Sequence, residues 1–274
     1  MRVLVTGGSG FIGSNFIRFL IEKYPNHEIV NIDKLTYAGN IENLRDIEHH
    51  KNYSFVKGDI CEKDKVEDLV SNCDIIVNFA AESHVDRSIA SSYEFIKTNI
   101  LGTHNLLEAA RLNGNTRFHH ISTDEVYGSL GEKGLFSENT NYDPRSPYSA
   151  SKASADHLVR SYFHTYNLPV TITNCSNNYG PYQHPEKLIP LFITNLIEGK
   201  QVPVYGTGSN VRDWLFVKNH CAAIDLVIQK GNLGETYCIG GDCEKTNFEI
   251  TKLLLSKFNL DEERIDYVKD RKGH

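Results

Sequence analysis

The chain lacks the features that would send it to a membrane, a nucleic acid or a metal. No uninterrupted apolar run among its 274 residues is long enough to span a bilayer. Lys and Arg total 29 against 35 Asp and Glu, a net charge of -6, so no cationic surplus exists for a phosphate backbone or an anionic lipid surface. Cysteine is sparse: Cys61, Cys73, Cys175, Cys221, Cys238 and Cys243, with no C-x-x-C pair. That spacing argues against a zinc site or a dithiol redox centre, and no metal is expected. The thiols are expected reduced and mostly buried. The first residues, Arg2-Val3-Leu4-Val5-Thr6, read as a strand rather than a signal peptide, so the expected location is cytoplasmic. Without such a signal, the glycosylation patterns at Asn52 and Asn174 carry no weight.

What is present is an alternation of strand-like and helix-like stretches. Strands are expected at Val3–Val5, Glu28–Asp33, Tyr53–Asp59, Asp74–Phe79, Arg117–Ser122 and Val170–Thr173. Between them lie a helix carrying Ile12, Phe16, Leu20 and Tyr24 on one face, a helix around Val66, Leu69 and Val70, a long helix from about Tyr93 to Leu112, and one over Tyr148–Tyr166. Hydrophobic strands alternating with helices predict a parallel, doubly wound α/β sheet of the Rossmann kind. After Cys175 the alternation loosens, which predicts a smaller, C-terminally weighted α/β domain. The expected division is 1–175 with 209–233 for the first domain and 176–208 with 234–274 for the second. A helix starting at Thr246 or Asn247 is expected in the second.

Gly8-x-Gly10-x-x-Gly13 follows the first strand and opens the first helix. In that context glycines allow a tight turn and a close approach to a pyrophosphate at the positive end of the helix. Asp33 ends the second strand twenty residues after Gly13, where a carboxylate receives ribose hydroxyls and repels a 2′-phosphate. The expected cofactor is therefore NAD, with Lys34 as a cation that softens the discrimination. Asp59 ends the third strand, either against adenine or as the cap of the next helix. Ala80 and Ala81 end the fourth, small enough for a dinucleotide to pass.

Ser122-Thr123-Asp124-Glu125 places a hydroxyl and two carboxyls where the fifth strand ends, and Tyr148 and Lys152 share one face of a helix. An ammonium beside a phenol favours the phenolate, which takes a proton from a sugar hydroxyl as hydride leaves. Thr123 would bond the same hydroxyl. The blander alternatives are a solvated loop for the two acids and a surface pair for Tyr148 and Lys152.

Several motifs occur together in order: Thr6-Gly7-x-x-Gly10-Phe11-Ile12-Gly13, Asp33-Lys34-Leu35-Thr36-Tyr37-Ala38-Gly39-Asn40, Thr123-Asp124-Glu125, Tyr148-x-x-x-Lys152, Cys175-Ser176-Asn177-Asn178-Tyr179-Gly180-Pro181-Tyr182 and Pro185-Glu186-Lys187-Leu188-Ile189-Pro190. The first and fourth resemble the extended short-chain dehydrogenase/reductase superfamily. The others resemble the dTDP-glucose 4,6-dehydratases, over essentially the whole chain. The resemblance implies NAD-mediated oxidation at C4 of dTDP-glucose, removal of the C5 proton by Glu125, protonation of the C6 hydroxyl by Asp124, and return of the hydride to C6. It implies a cofactor site of Gly7, Gly10, Phe11, Ile12, Gly13, Asp33, Lys34, Leu35, Thr36, Asp59, Ile60, Ala80, Ala81, Ser83, Thr98, Tyr148, Lys152 and Asn178. It implies a substrate site of His84, Thr123, Asn177, Lys187, Leu188, Pro203, Tyr205, Arg212 and Asn247. It also implies a homodimer through the Tyr93–Leu112 and Tyr148–Tyr166 helices. The alternatives are another extended enzyme on UDP- or CDP-sugars, such as a 4-epimerase or decarboxylase, or a cofactor-binding regulator without turnover. One departure stands at the end: Asp270-Arg271-Lys272-Gly273-His274 replaces the family's Arg-Pro-Gly-His-Asp, with Lys272 where proline is usual. The expectation is a fragment of a longer chain or an incomplete nucleotide site.

Overall fold

The structure, a computed structural model, describes residues 1–114, 116–130 and 134–269. The terminal Asp270-to-His274 departure lies outside them. The chain forms two units, Met1–Cys175 with Lys218–Ile239, and Ser176–Val217 with Gly240–His274.

The first unit is built on β1 (Arg2–Thr6), β2 (Glu28–Asp33), β3 (Tyr53–Lys57), β4 (Ile75–Asn78), β5 (Arg117–Thr123) and β6 (Val170–Cys175). The chain then passes through β7 (Asn177–Tyr179), β8 (Val202–Tyr205) and β9 (Val211–Phe216) before β10 (Thr236–Ile239). The seven-stranded sheet has the order β10-β6-β5-β4-β1-β2-β3, and every pairing in it is parallel. Strand order reverses beside β1, so the loops after β1 and β4 open at the switch point where doubly wound sheets take their ligands. β4 and β6 are buried along their whole length, because such sheets are covered on both faces.

The connecting helices are α1 (Phe11–Lys23), α2 (Lys63–Val70), α3 (Val85–Ala90), α4 (Tyr93–Phe95), α5 (Thr103–Leu112) and α6 (Pro147–Tyr166). Val66, Val70, Leu106, Leu107, Val159 and Tyr162 pack on Leu4, Val30, Ile76, Phe118 and Ile172. In the later part of the chain, α7 (Leu188–Ile197) and α9 (Asn247–Lys257) belong to the second unit, while α8 (Val217–Lys230) belongs to the first from Lys218 on.

The long helix expected over 93–112 is not uniform. Residues Ile96–Gly102 between α4 and α5 wind as a π-helix. Asn99 explains part of this. Its side chain receives the Glu82 N–H at 2.9 Å and donates to the Glu82 carbonyl at 3.0 Å and to Ser151 Oγ at 2.8 Å. Those bonds hold it inward.

The second unit has a three-stranded sheet, β11-β9-β7 (β11, Glu244–Thr246), and a two-stranded one, β12-β8 (β12, Ile265–Val268). Phe192, Leu196, Val202, Val204, Leu255 and Ile265 form its core. The return to the first unit, expected over 209–233, falls at Lys218–Ile239. β9 pairs with β7 and β11 and belongs to the second unit, while β10 pairs with β6 and completes the main sheet. The short strands β7, β10 and β11 carry too few residues to show a period.

Three histidines are buried in the first unit. His119 Nδ1 lies 2.8 Å from Thr171 Oγ1, and its Nε2 lies 3.3 Å from Thr173 Oγ1. Burial lowers His119 and His220 to about 3 and lowers His120 well below the ordinary 6.5. The unfolded chain therefore binds more protons than the folded one below about pH 6.5, so stability is lost as pH falls through that window, by up to about 1.4 kcal/mol per unit per histidine. Unfolding in denaturant should show this loss between about pH 6.5 and 5. His220→Gln should flatten the slope, and an unchanged slope would exclude His220 as a contributor.

Candidate active site

β1 ends in the glycine loop. Gly7 sits at φ +67°, and a Cβ there would lie 2.6 Å from Ala80 N. The loop after β4 thus runs against the loop after β1. Gly10 caps α1 in extended backbone, and Phe11 and Ile12 begin the helix. A Cβ on Gly13 would meet Gly7 O at 2.5 Å and Gly8 Cα at 2.8 Å. Both obstacles are backbone, so neither can swing aside.

Asp33 is buried at the end of β2. Its Oδ2 accepts the Ser9 N–H at 2.9 Å and its Oδ1 the Leu35 N–H at 2.8 Å, so it clamps the glycine loop to its own turn. Burial raises its carboxyl above the ordinary range, opposed by those two N–H groups. Leu35 takes a left-handed conformation at φ 57°, and the Thr36 carbonyl closes the turn onto Gly39 N at 3.1 Å. Lys34 is spoken for: its Nζ meets Asp59 Oδ2 at 2.9 Å. Burial raises Asp59, but the Cys61 N–H and Lys34 outweigh it, and the carboxyl lies low. Asp59 Oδ1 accepts the Cys61 N–H at 2.9 Å, a turn-forming role beside α2. Ile60 is buried and its side chain touches Gly102. Ala80 N donates to Thr6 Oγ1 at 3.2 Å, followed by partly buried Ala81 and Ser83. His84 caps α3, its Nδ1 facing the Arg87 N–H at 3.4 Å. Thr98 is buried in the π segment.

β5 delivers the reactive groups. Thr123 caps a 3₁₀ turn, Asp124–Tyr127, accepting the Glu125 N–H at 3.3 Å and donating to Asp124 Oδ1 at 3.3 Å. Val126 and Tyr127 anchor the turn in a buried cluster with Ala153, leaving Asp124 half-buried and Glu125 exposed. α6 starts at a capping box formed by Ser146 and Ser149, with Pro147 at its first position. Tyr148 therefore lies in the first turn, buried, with Thr123, Asp124 and Glu125 all close enough to act on its phenol. Burial pushes the phenol well above its ordinary value, and Glu125, Cys175 and Asp124 add to this while Thr123 opposes it. Burial and the nearby carboxyls thus oppose the phenolate that a neighbouring ammonium is expected to favour. The ammonium points inward, donating to Ile121 O at 2.7 Å and lying 3.3 Å from His120 Nε2. Burial lowers Lys152 to about 8.

The predicted cofactor and catalytic residues thus fall in the first unit, except Asn178. Asn178 lies on β7 with Asn177 and donates to Ser176 O at 3.0 Å. The predicted substrate residues, apart from His84 and Thr123, belong to the second unit. Lys187 precedes α7, which Leu188 begins. Pro203 and exposed Tyr205 lie on β8. Arg212 on β9 donates to its neighbour Val211 O at 2.8 Å. The adjacent Asp213 accepts the Gly241 and Cys243 N–H groups at 2.6 and 2.8 Å. Thr246, not Asn247, caps α9 in a capping box with Glu249, so the Asn247 side chain is not used as the cap. Sequence reasoning missed Asn78, Asn99, His120 and Asp156, which hold the reactive groups from beneath. The i+4 step from Lys152 to Asp156 and the period-2 step from His120 to Ser122 were the available signals.

A glycine-turn switch point, a buried Tyr and Lys on one helix, and a hydroxyl with two carboxyls beside the phenol define a dinucleotide-dependent site for redox chemistry and elimination at a hydroxylated carbon. Residues 4–274 match the family model described as GDP-mannose 4,6 dehydratase, and the chain belongs to that family. It is 52% identical to the low-salt glycan biosynthesis protein Agl12 of Haloferax volcanii, over all of this chain and 88% of that protein. It is 51% identical to a dTDP-glucose 4,6-dehydratase of Neisseria meningitidis serogroup B, over all of this chain and 83% of the relative. Among solved structures, DesIV, a dTDP-glucose 4,6-dehydratase from Streptomyces venezuelae crystallised with NAD, superposes with a TM-score of 0.98 at 50% identity, covering all of this chain and 86% of that one.

Gly13→Ala should force the loop after β1 apart. The expected result is a thermal midpoint several degrees lower, from a loss on the order of 1–3 kcal/mol. A midpoint matching the parent's would show that the loop has room the geometry denies.

Proposed function

We propose that the protein is an NAD-dependent 4,6-dehydratase that converts dTDP-glucose to dTDP-4-keto-6-deoxyglucose and water. The observation that carries this reading is the Thr123-Asp124-Glu125 turn, which brings a hydroxyl and two carboxyls to bear on the buried Tyr148 phenol. The glycine loop at the N-terminus of α1 and the turn clamped by Asp33 suit a dinucleotide. NAD bound there would accept hydride from C4 of the sugar and later return it to C6.

The chain's own groups handle the protons. Tyr148 takes the proton of the C4 hydroxyl while Thr123 bonds the same oxygen. The positive charge of Lys152 favours the phenolate, against the upward push of burial and the neighbouring carboxyls. Once C4 is a ketone, the C5 proton is acidified and Glu125 removes it. Asp124 protonates the C6 hydroxyl, which leaves as water. C5 is reprotonated as C6 is reduced, so atoms and electrons balance and the cofactor is regenerated. The nucleotide diphosphate falls to Asn177, Lys187, Arg212 and Asn247, of which Arg212 offers a fork matched to phosphate oxygens.

A homodimer through the two helical faces is part of the same reading. Tyr93, Ile96, Leu101 and Leu112 are exposed along residues 93–112, and Tyr166 is exposed at the end of α6. Light scattering should give twice the chain mass, and Leu101→Glu should return the single-chain mass. A parent protein that is already monomeric removes the dimer from the proposal.

The decisive test is incubation with dTDP-glucose in deuterated water without added NAD. The expected product has lost one water and carries one deuterium at C5. Asp124→Asn should lower kcat by about 10²- to 10⁴-fold, the usual worth of a general acid. A parent that interconverts C4 epimers and tolerates this change would be an epimerase. A protein that retains NAD yet never turns over would be a regulator.

A further inference from the structure

Tyr148, Lys152, Asp156 and Arg160 form a stripe down α6 at four-residue steps, and the two residues below Lys152 have no part in the reaction just described. His120 and Ser122, two apart on β5, meet that stripe. The His120 and Asp156 side chains are buried, at 1% and 0% exposure. A buried charge is retained only where other groups compensate it.

Hydrogen-bond directions fix the state of His120. The Ala80 backbone N–H can only donate, and it donates to Thr6 Oγ1 at 3.2 Å. Thr6 in turn donates to Asn78 Oδ1 at 2.6 Å. The Asn78 amide nitrogen therefore faces His120 Nδ1 at 3.2 Å as a donor, and Nδ1 must accept. The ring proton sits on Nε2 and is turned to the Asp156 Oδ1 acceptor at 3.5 Å; Lys152 Nζ, itself a donor, lies 3.3 Å from the same nitrogen and gives its hydrogen bond to Ile121 O. The other Asp156 oxygen accepts from Ser122 Oγ and Tyr142 OH, both at 2.8 Å. Oδ1 is buried with no hydrogen-bond partner and faces the histidine.

We propose that Asp156 is a positioning residue for Lys152: from the far side of the neutral His120 ring, its carboxylate supplies the buried negative charge that keeps the ammonium ionised and directed at Ile121 O. The proposal rests on the reading of Tyr148 and Lys152 given above. Other titratable groups surround the pair. The Cys175 thiol at the end of β6 bears on Lys152 and Tyr148, His119 and Lys152 bear on His120, and Arg160 bears on Asp156. Glu125 and Asp124 bear on Tyr148. Of these, Asp156 is the carboxyl that opposes the lowering of Lys152 by burial.

Asp156→Asn removes the charge and leaves an oxygen for Ser122 and Tyr142. With ¹³C-labelled lysine, and Lys152→Arg to assign the signal, Lys152 in the intact enzyme should titrate near pH 8. In the variant it should titrate at least about one unit lower, and the alkaline limb of kcat should move with it, a tenfold loss per unit at fixed pH with KM unchanged. An unmoved Lys152 titration, or a kcat loss equal at every pH, would reduce Asp156 to a structural role and overturn the proposal. If the variant does not fold, ¹⁵N-histidine spectra of the parent decide. A neutral Nε2–H His120 across about pH 5–9 supports the arrangement, and the Nδ1–H tautomer or a protonated ring overturns it. A Lys152 titration that shifts in a protein inert toward dTDP-glucose would leave this inference standing and remove the dehydratase reading.

Discussion

A parallel sheet covered on both faces admits no water, so every polar side chain placed on it must find its partner inside the protein. The first unit follows that constraint at many of its strand positions, with Asn174 Oδ1 on β6 an exception. Thr6, Asn31, Asn78, His119, Ser122 and Thr173 all sit buried on its strands. Asn31 accepts the Gly8 N–H at 3.0 Å, so a sheet residue steadies the glycine turn. Thr6 ties β1 to the start of the loop after β4. Ser122 ties β5 to α6 through Asp156. The reactive groups stand at the strand ends because that is where this dry interior first meets solvent.

The same constraint separates what was legible from what was not. Motifs whose meaning is local were readable: the glycine turn, Asp33 at the end of β2, the hydroxyl and carboxyls after β5, and the four-residue step from Tyr148 to Lys152. The sheet strands through β6 were readable because their apolar runs are long. β10 was not, since its four residues join the sheet only through pairing with β6. Likewise, β7, β9 and β11 gain their meaning from one another. Charge partners also depend on distant chain: Lys34 turned out to pair with Asp59, and Asp213 to serve backbone N–H groups. His120 carries no signal of its partners in the sequence, and only the fold shows it beside both Lys152 and Asp156.

Tyr148 shows how fold and chemistry pull against each other. The capping box and proline that start α6 fix it in the first helical turn, and the packing that fixes it also raises its phenol. A phenol that is hard to ionise stays protonated until positive charge is brought near. Charge and position are thereby linked, and proton removal waits on an assembled site.

The π segment at Ile96–Gly102 bears on how this chain tolerates insertions and deletions. A π turn accommodates an extra residue relative to the α-helix on either side of it. Deleting one residue there would let the backbone relax to ordinary winding, and on length alone it would look harmless. The flanking turns would keep their phase, since the π turn is what absorbs the extra residue, but the widened turn that carries Asn99 inward would be gone. Asn99 would lose its grip on residue 82 and Ser151, and the loop after β4 would come away from the first turn of α6. Length at that point is therefore set by what Asn99 has to reach.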